Sequence, residues 1–125
     1  MDEFNDESEM LLRCVRPGNM YWKDNDTLTS AAFKDPEGLS VDRVYDRELE
    51  TAVETIGAKL EGSVVSVTVG DCHEANAIVK YKPLVDNDYH SEIHQSEKVA
   101  LLTKGNARAL ARKARILKRD PEDIL

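Results

Sequence analysis

Positive charge is scarce in this chain: 17 Lys and Arg stand against 24 Asp and Glu, for a formal net charge of −7. That balance argues against bulk binding to nucleic acid or to an anionic membrane. Long apolar runs are missing too, and none approaches the roughly 20 residues of a membrane span. Cysteine is limited to Cys14 and Cys72, far apart and outside any CxxC motif. They are read as two small apolar side chains kept reduced, not as a disulfide framework or a metal knuckle. Also absent are a Gly-rich phosphate loop, a GxSxG elbow, an HExxH pair and a dinucleotide fingerprint. Those gaps exclude several large enzyme classes, and neither a metal nor a cofactor is expected. There is no internal repeat and no low-complexity linker.

What is present suits one globular domain. A chain of 125 residues with 41% hydrophobic and 33% charged content buries enough surface to fold without a staple. Residues 1–9 hold Asp2, Glu3, Asp6, Glu7 and Glu9 with no base. They are expected to form an acidic mobile leader ahead of a single domain over 10–125. That start is the opposite of a secretory signal, so the expected location is the cytoplasm.

Hydrophobic periodicity predicts an α+β fold, a small mixed or antiparallel sheet carrying two amphipathic helices. Strands are expected at 10–15, 27–33, 39–41, 63–69, 77–84 and 90–94. The first helix covers about 46–60, where Leu49, Ala52, Val53, Ile56 and Leu60 share a face. Asp46 is a candidate cap, and Gly62 sits where a positive φ is wanted. The second helix covers about 103–119, capped by Thr103, with Ala107, Leu110, Ala114 and Leu117 as its buried stripe.

Three features could carry function. The second helix bears Lys104, Arg108, Arg112, Arg115 and Arg119 in a row and no acid at all. Such a row suits an anionic partner: nucleic acid, a nucleotide or an acidic protein. Its lack of aromatics weakens the case for single-stranded nucleic acid. Next, His90 and His94 flank Glu92. On a helix the two imidazoles would lie about 6 Å apart, a ligand spacing. On the strand favoured here they point the same way but about 13 Å apart, too far for one ion. Either histidine, His90 above all, could serve as a general acid or base in a cleft. Last, Arg13 lies inside an apolar strand, where its guanidinium needs Asp35, Asp42 or a bound anion as partner.

The segments LLRCVRP (11–17), SAAFKDPEGLSVDR (30–43), VTVGDC (67–72) and YHSEI (89–93) carry a resemblance. Their order resembles a small bacterial protein family reading R-x-x-P, S-S-A-F, L-S-V, V-T-V-x-x-C and H-x-x-I. The resemblance covers Leu11 to about Ile93 and implies shared positions at Arg13, Pro17, Ser30, Phe33, Ser40, Cys72 and His90. It implies no mechanism and does not extend to the basic helix. An arginine strand followed by a serine strand is also similar to the layout of ADP-ribosyltransferase-like and RES-type toxin domains. That likeness implies a catalytic set of Arg13, Ser30 and His90, although a catalytic glutamate motif is lacking.

Two expectations follow. The chain is a non-catalytic module holding an anionic partner on its basic helix, with no membrane role, or it is a small enzyme built on Arg13, Ser30 and His90.

Overall fold

The computed structural model describes residues 3–120. Strands β1 (Met10–Val15), β2 (Trp22–Asp24) and β3 (Thr27–Leu28) come first, followed by a 3-10 turn at Ser30–Phe33. Then come β4 (Leu39–Arg43), α1 (Leu49–Lys59), β5 (Ser63–Thr68) and α2 (Val69–Glu74). The order closes with β6 (Ile78–Tyr81), β7 (His90–His94), α3 (Lys104–Lys113) and β8 (Arg115–Lys118). Six strands form one antiparallel sheet in the order β6-β7-β4-β1-β5-β8, and β2 and β3 make a separate hairpin. The fold is therefore α+β, as the periodicity predicts.

Alternation along the strands sorts side chains onto two faces. Leu11, Val15, Leu39, Val41, Val65, Val67 and Ile93 point to one face, where they form the larger core. Trp22, Phe33, Cys72, Leu102, Ala107 and Leu110 close that core from above. On the other face Leu12 and Val64 meet Ala52 and Ile56 of α1 in a smaller cluster. Helix α1 contacts β1 and β5. The same face of β4 and β7 carries polar residues instead: Ser40 and Asp42, then His90, Glu92 and His94.

Several boundaries differ from expectation for identifiable reasons. Helix α1 begins at Leu49 after Glu48, not at Asp46, and the Asp46 carboxylate accepts a hydrogen bond from Tyr89 Oη at 3.0 Å. Its terminal leucines, Leu49 and Leu60, stay exposed, so the buried face is carried by Ala52 and Ile56. The second helix stops at Lys113 rather than near 119. Ala114 turns extended at ψ 139°, and residues 115–118 pair antiparallel with β5. Ile116 then joins the larger core and Leu117 the smaller one, which only a period of two allows. The switch also covers a strand edge that would otherwise be unpaired. The stretch expected as a strand over 27–33 is the short β3 followed by the 3-10 turn. Helix α2 replaces the expected end of the β5 strand. Thr68 and Asp71 cap each other there, Asp71 N–H donating to Thr68 Oγ1 at 3.0 Å and Thr68 N–H to Asp71 Oδ2 at 2.9 Å.

Among the described residues, the acidic leader is hydrogen-bonded to the domain at Glu7 and Glu9. Gly70 N–H donates to the Glu7 carbonyl at 2.8 Å and Val69 N–H to that of Glu9 at 3.0 Å. Self-repulsion among its acids predicts mobility, but Glu9 is paired with a base, Arg43, that arrives from β4.

Candidate functional site

The ladder between the central strands β4 and β1 holds two residue pairs, Leu11 with Arg43 and Leu12 with Asp42. Past that point a groove of about 930 Å³ opens. Its walls are the ends of β1 and β4, the C-terminal turn of α1, and the loop before β7. Arg13, Ser40, Asp42, Asn87 and His90 all line it.

Arg13 and His90 leave the sheet on opposite faces. Arg13 stands opposite Val65 on the larger core's side, whereas His90 stands opposite Asp42 on the α1 side. The groove at the strand ends nonetheless reaches both, and Ser40 links them. Arg13 Nη1 donates to the Ser40 carbonyl at 3.0 Å, and Arg13 Nε donates to the Ala32 carbonyl at 2.8 Å. Among the described residues the guanidinium has no carboxylate within ion-pair distance. Neither Asp35 nor Asp42 bonds it, although Asp35 supports its charge from a distance. Burial pulls the Arg13 pKa below the usual arginine range, and the Asp35 charge acts against that shift.

His90 Nδ1 lies 2.8 Å from the Lys82 carbonyl and His90 Nε2 lies 3.2 Å from Ser40 Oγ. His94 has a different partner, with Nε2 2.8 Å from Glu92 Oε1. The two imidazoles thus ride the expected strand and serve separate contacts. A Cβ on Gly38 would come within 2.5 Å of His94 Nε2, so the absence of a side chain at that turn seats the Glu92–His94 pair. Asp42 is buried and accepts from Asn87 Nδ2 at 2.9 Å, which ties the loop before β7 to the sheet. Tyr89 is occupied away from the groove. Its hydroxyl donates to Asp46, raising the phenol pKa, and Arg47 stacks on its ring at 3.7 Å.

Ser30 opens the 3-10 turn and is not among the groove's lining residues. Of the set Arg13, Ser30 and His90, the first and last line the groove, together with Ala31 and Ala32 that follow Ser30. The serine whose hydroxyl meets His90 is Ser40. The family resemblance singles out Ser40 as well, but its proximity to His90 depends on the β4–β7 register, which local sequence does not encode.

The basic row is also divided. Lys104, Arg108 and Arg112 are exposed on α3, one turn apart. Lys113, next to them, pairs with Glu74 at 3.5 Å. Arg115 lies on edge strand β8 opposite Ser66, toward the α1 side of the sheet. Arg119 is part of the structure: Nε donates to the Asn25 carbonyl at 2.9 Å, Nη1 donates to Ser63 Oγ at 3.1 Å, and the guanidinium stacks on Trp22 at 3.7 Å. The expected five-residue cationic row reduces to three because the helix that would align them ends at Lys113.

The two thiols are free and sit in different clusters, Cys72 in the larger core and Cys14 against the smaller one beside the groove. Burial pushes the Cys14 thiol above its ordinary range and the Cys72 thiol from 9.0 up to about 12. A raised folded pKa favours the protonated fold. The Cys72 contribution is complete below about pH 9 and is lost as pH climbs toward about 12. At pH 8, iodoacetamide should alkylate Cys14 slowly and leave Cys72 untouched until urea unfolds the chain, as read by peptide mass spectrometry. Equal alkylation of both in the folded protein would contradict this burial.

Among the described residues, no helix is long and apolar enough to cross a membrane, and no group of three or more His, Cys, Asp or Glu could hold a metal ion. No protein-family model, no curated protein and no solved structure matches the chain.

Proposed function

We propose that this chain is a binding module that takes an acidic protein segment on the Lys104–Arg108–Arg112 row of α3. The observation that carries the reading is the row itself. It consists of three exposed cations at i, i+4 and i+8, without an acidic partner among the described residues, on a chain of net charge −7. The row spans about 12 Å of helix. Carboxylates at the same helical spacing on a partner would meet all three. Val99 and Leu101, both exposed just before α3, add apolar contact of the kind found in protein interfaces. Nucleic acid fits less well, because α3 has no aromatic ring on which a base could stack.

Poly-L-glutamate and a single-stranded oligonucleotide of matched charge are suitable probes. The protein should bind poly-L-glutamate at low ionic strength, weaken as salt rises, and lose that binding when Lys104, Arg108 and Arg112 are all changed to Glu. All three side chains are exposed, so circular dichroism and thermal midpoint should hardly change. Stronger binding to the oligonucleotide, or unchanged poly-L-glutamate binding by the triple variant, would rule the reading out.

A further inference from the structure

We infer that Ser40 and His90 form a nucleophile–base pair and that the groove beside Arg13 is a catalytic site for small anionic esters, separate from the α3 surface. Proton accounting identifies the pair. The Lys82 carbonyl can only accept, so the 2.8 Å contact to His90 Nδ1 requires a proton on Nδ1. The neutral ring then presents a lone pair at Nε2. Ser40 Oγ, 3.2 Å away, is the donor to it. That arrangement draws the hydroxyl proton toward a base whose tautomer is fixed by a third group, as nucleophilic catalysis requires. Here the third group is a backbone carbonyl. It orients the imidazole without adding a negative charge, so the expected turnover is modest.

The surroundings fit that chemistry. The Ser40 side chain is exposed in the groove while its own carbonyl is bound by Arg13 Nη1 at 3.0 Å. The guanidinium is therefore held next to the nucleophile's backbone. Two of its five N–H groups are committed to carbonyls, and the others form no hydrogen bond among the described residues. A guanidinium fixed in place beforehand and only partly used is suited to take a carboxylate of the substrate. Arg16, Lys34 and Lys59 also line the groove, where Asp35, Asp42, Glu61 and Asp86 balance the positive charge, so the preference for an anion rests on Arg13, while Ala31, Ile56 and Leu60 provide room for a short acyl chain.

The step balances without a cofactor. Ser40 Oγ bonds to the ester carbonyl carbon as its proton moves to His90 Nε2. The C–O bond to the alcohol breaks, and His90 returns that proton to the leaving oxygen. Water then attacks the acyl-serine, its proton passing through His90 back to Ser40 Oγ. The products are an acid and an alcohol.

A fluorophosphonate probe and two chromogenic esters, p-nitrophenyl acetate and p-nitrophenyl hemisuccinate, test the inference on the full chain. Peptide mass spectrometry should locate the phosphonyl group on Ser40. Labelling should vanish in Ser40→Ala and fall by about 10²-fold or more in His90→Gln, which keeps a polar side chain but removes the base. The hemisuccinate should turn over faster than the acetate, and Arg13→Lys should erase that preference. Absence of label at Ser40, or label that is unchanged in His90→Gln, would overturn the catalytic pair. Equal rates for the two esters would overturn the anionic substrate class. Poly-L-glutamate binding at α3 should be intact in Ser40→Ala, so failure at one site is distinguishable from failure at the other.

Discussion

Glu9→Ala should cost about 3–5 kcal/mol of folding stability, the usual penalty for removing one partner of a buried ion pair. The Arg43 side chain is fully buried, and Glu9 meets it with both carboxylate oxygens, at 2.7 Å to Nε and 2.7 Å to Nη2. Phe4, Tyr45 and Tyr81 surround the guanidinium at 4.0, 4.7 and 5.6 Å, and the Glu3 carbonyl accepts from Nη2 at 3.1 Å. Total stabilities run to about 5–15 kcal/mol, so such a loss is a large share of the whole. The urea midpoint should fall accordingly, and amide exchange over residues 3–9 should accelerate. Glu7→Ala is the control. Glu7 pairs with His73 at 2.8 Å where both side chains are largely exposed, and such pairs contribute at most about 1 kcal/mol. Equal losses in the two variants would show that Arg43 is not the anchor of the leader.

That contrast also marks how far the sequence is legible. β1 and β7 are read at their true ends because turn residues bound them, as Pro17-Gly18 does after β1. β5 is legible as a β-branched run, and α1 as a 3.6-residue stripe. Arg43 and Glu9 are 34 residues apart, so nothing local joins them. The end of α3 is misread because Ala114 and Leu117 satisfy the helical stripe equally well. The choice depends on an open edge of β5, and that edge exists only once the sheet has formed. The groove fails to show in sequence for a related reason. Arg13 is recognisable as an arginine in need of a partner, but its partners are the carbonyls of Ala32 and Ser40, and any residue type supplies a carbonyl. Ser40 and His90 meet across two strands whose register comes from the alternation of Leu39, Val41, Ser91 and Ile93 toward the core.

Gly62→Ala should lower the thermal midpoint by about 6 °C or more. At this chain length each kcal/mol corresponds to roughly 3–6 °C, and two costs combine here. The first is conformational. Gly62 has φ +143°, a region that L side chains rarely adopt, and forcing one there costs about 1–3 kcal/mol. The second is a collision. A Cβ at Gly62 would lie 2.2 Å from the Val15 carbonyl oxygen, 2.8 Å from its carbon and 3.1 Å from Cys14 Sγ. Two of those three atoms are backbone and cannot swing aside, so the end of β1 must move, at a typical overpacking cost of about 1–3 kcal/mol. Gly105→Ala is the matched control. It sits in the first turns of α3 with nothing within 4 Å of its Cβ position, so it should be neutral or stabilise by up to about 1 kcal/mol. The same displacement has a functional readout. Cys14 and Val15 form part of the groove wall, so Gly62→Ala should speed alkylation of Cys14 and slow phosphonylation of Ser40 at temperatures where the variant is still folded. A variant that loses stability yet keeps both rates at the wild-type value would show that the end of β1 does not shape the groove.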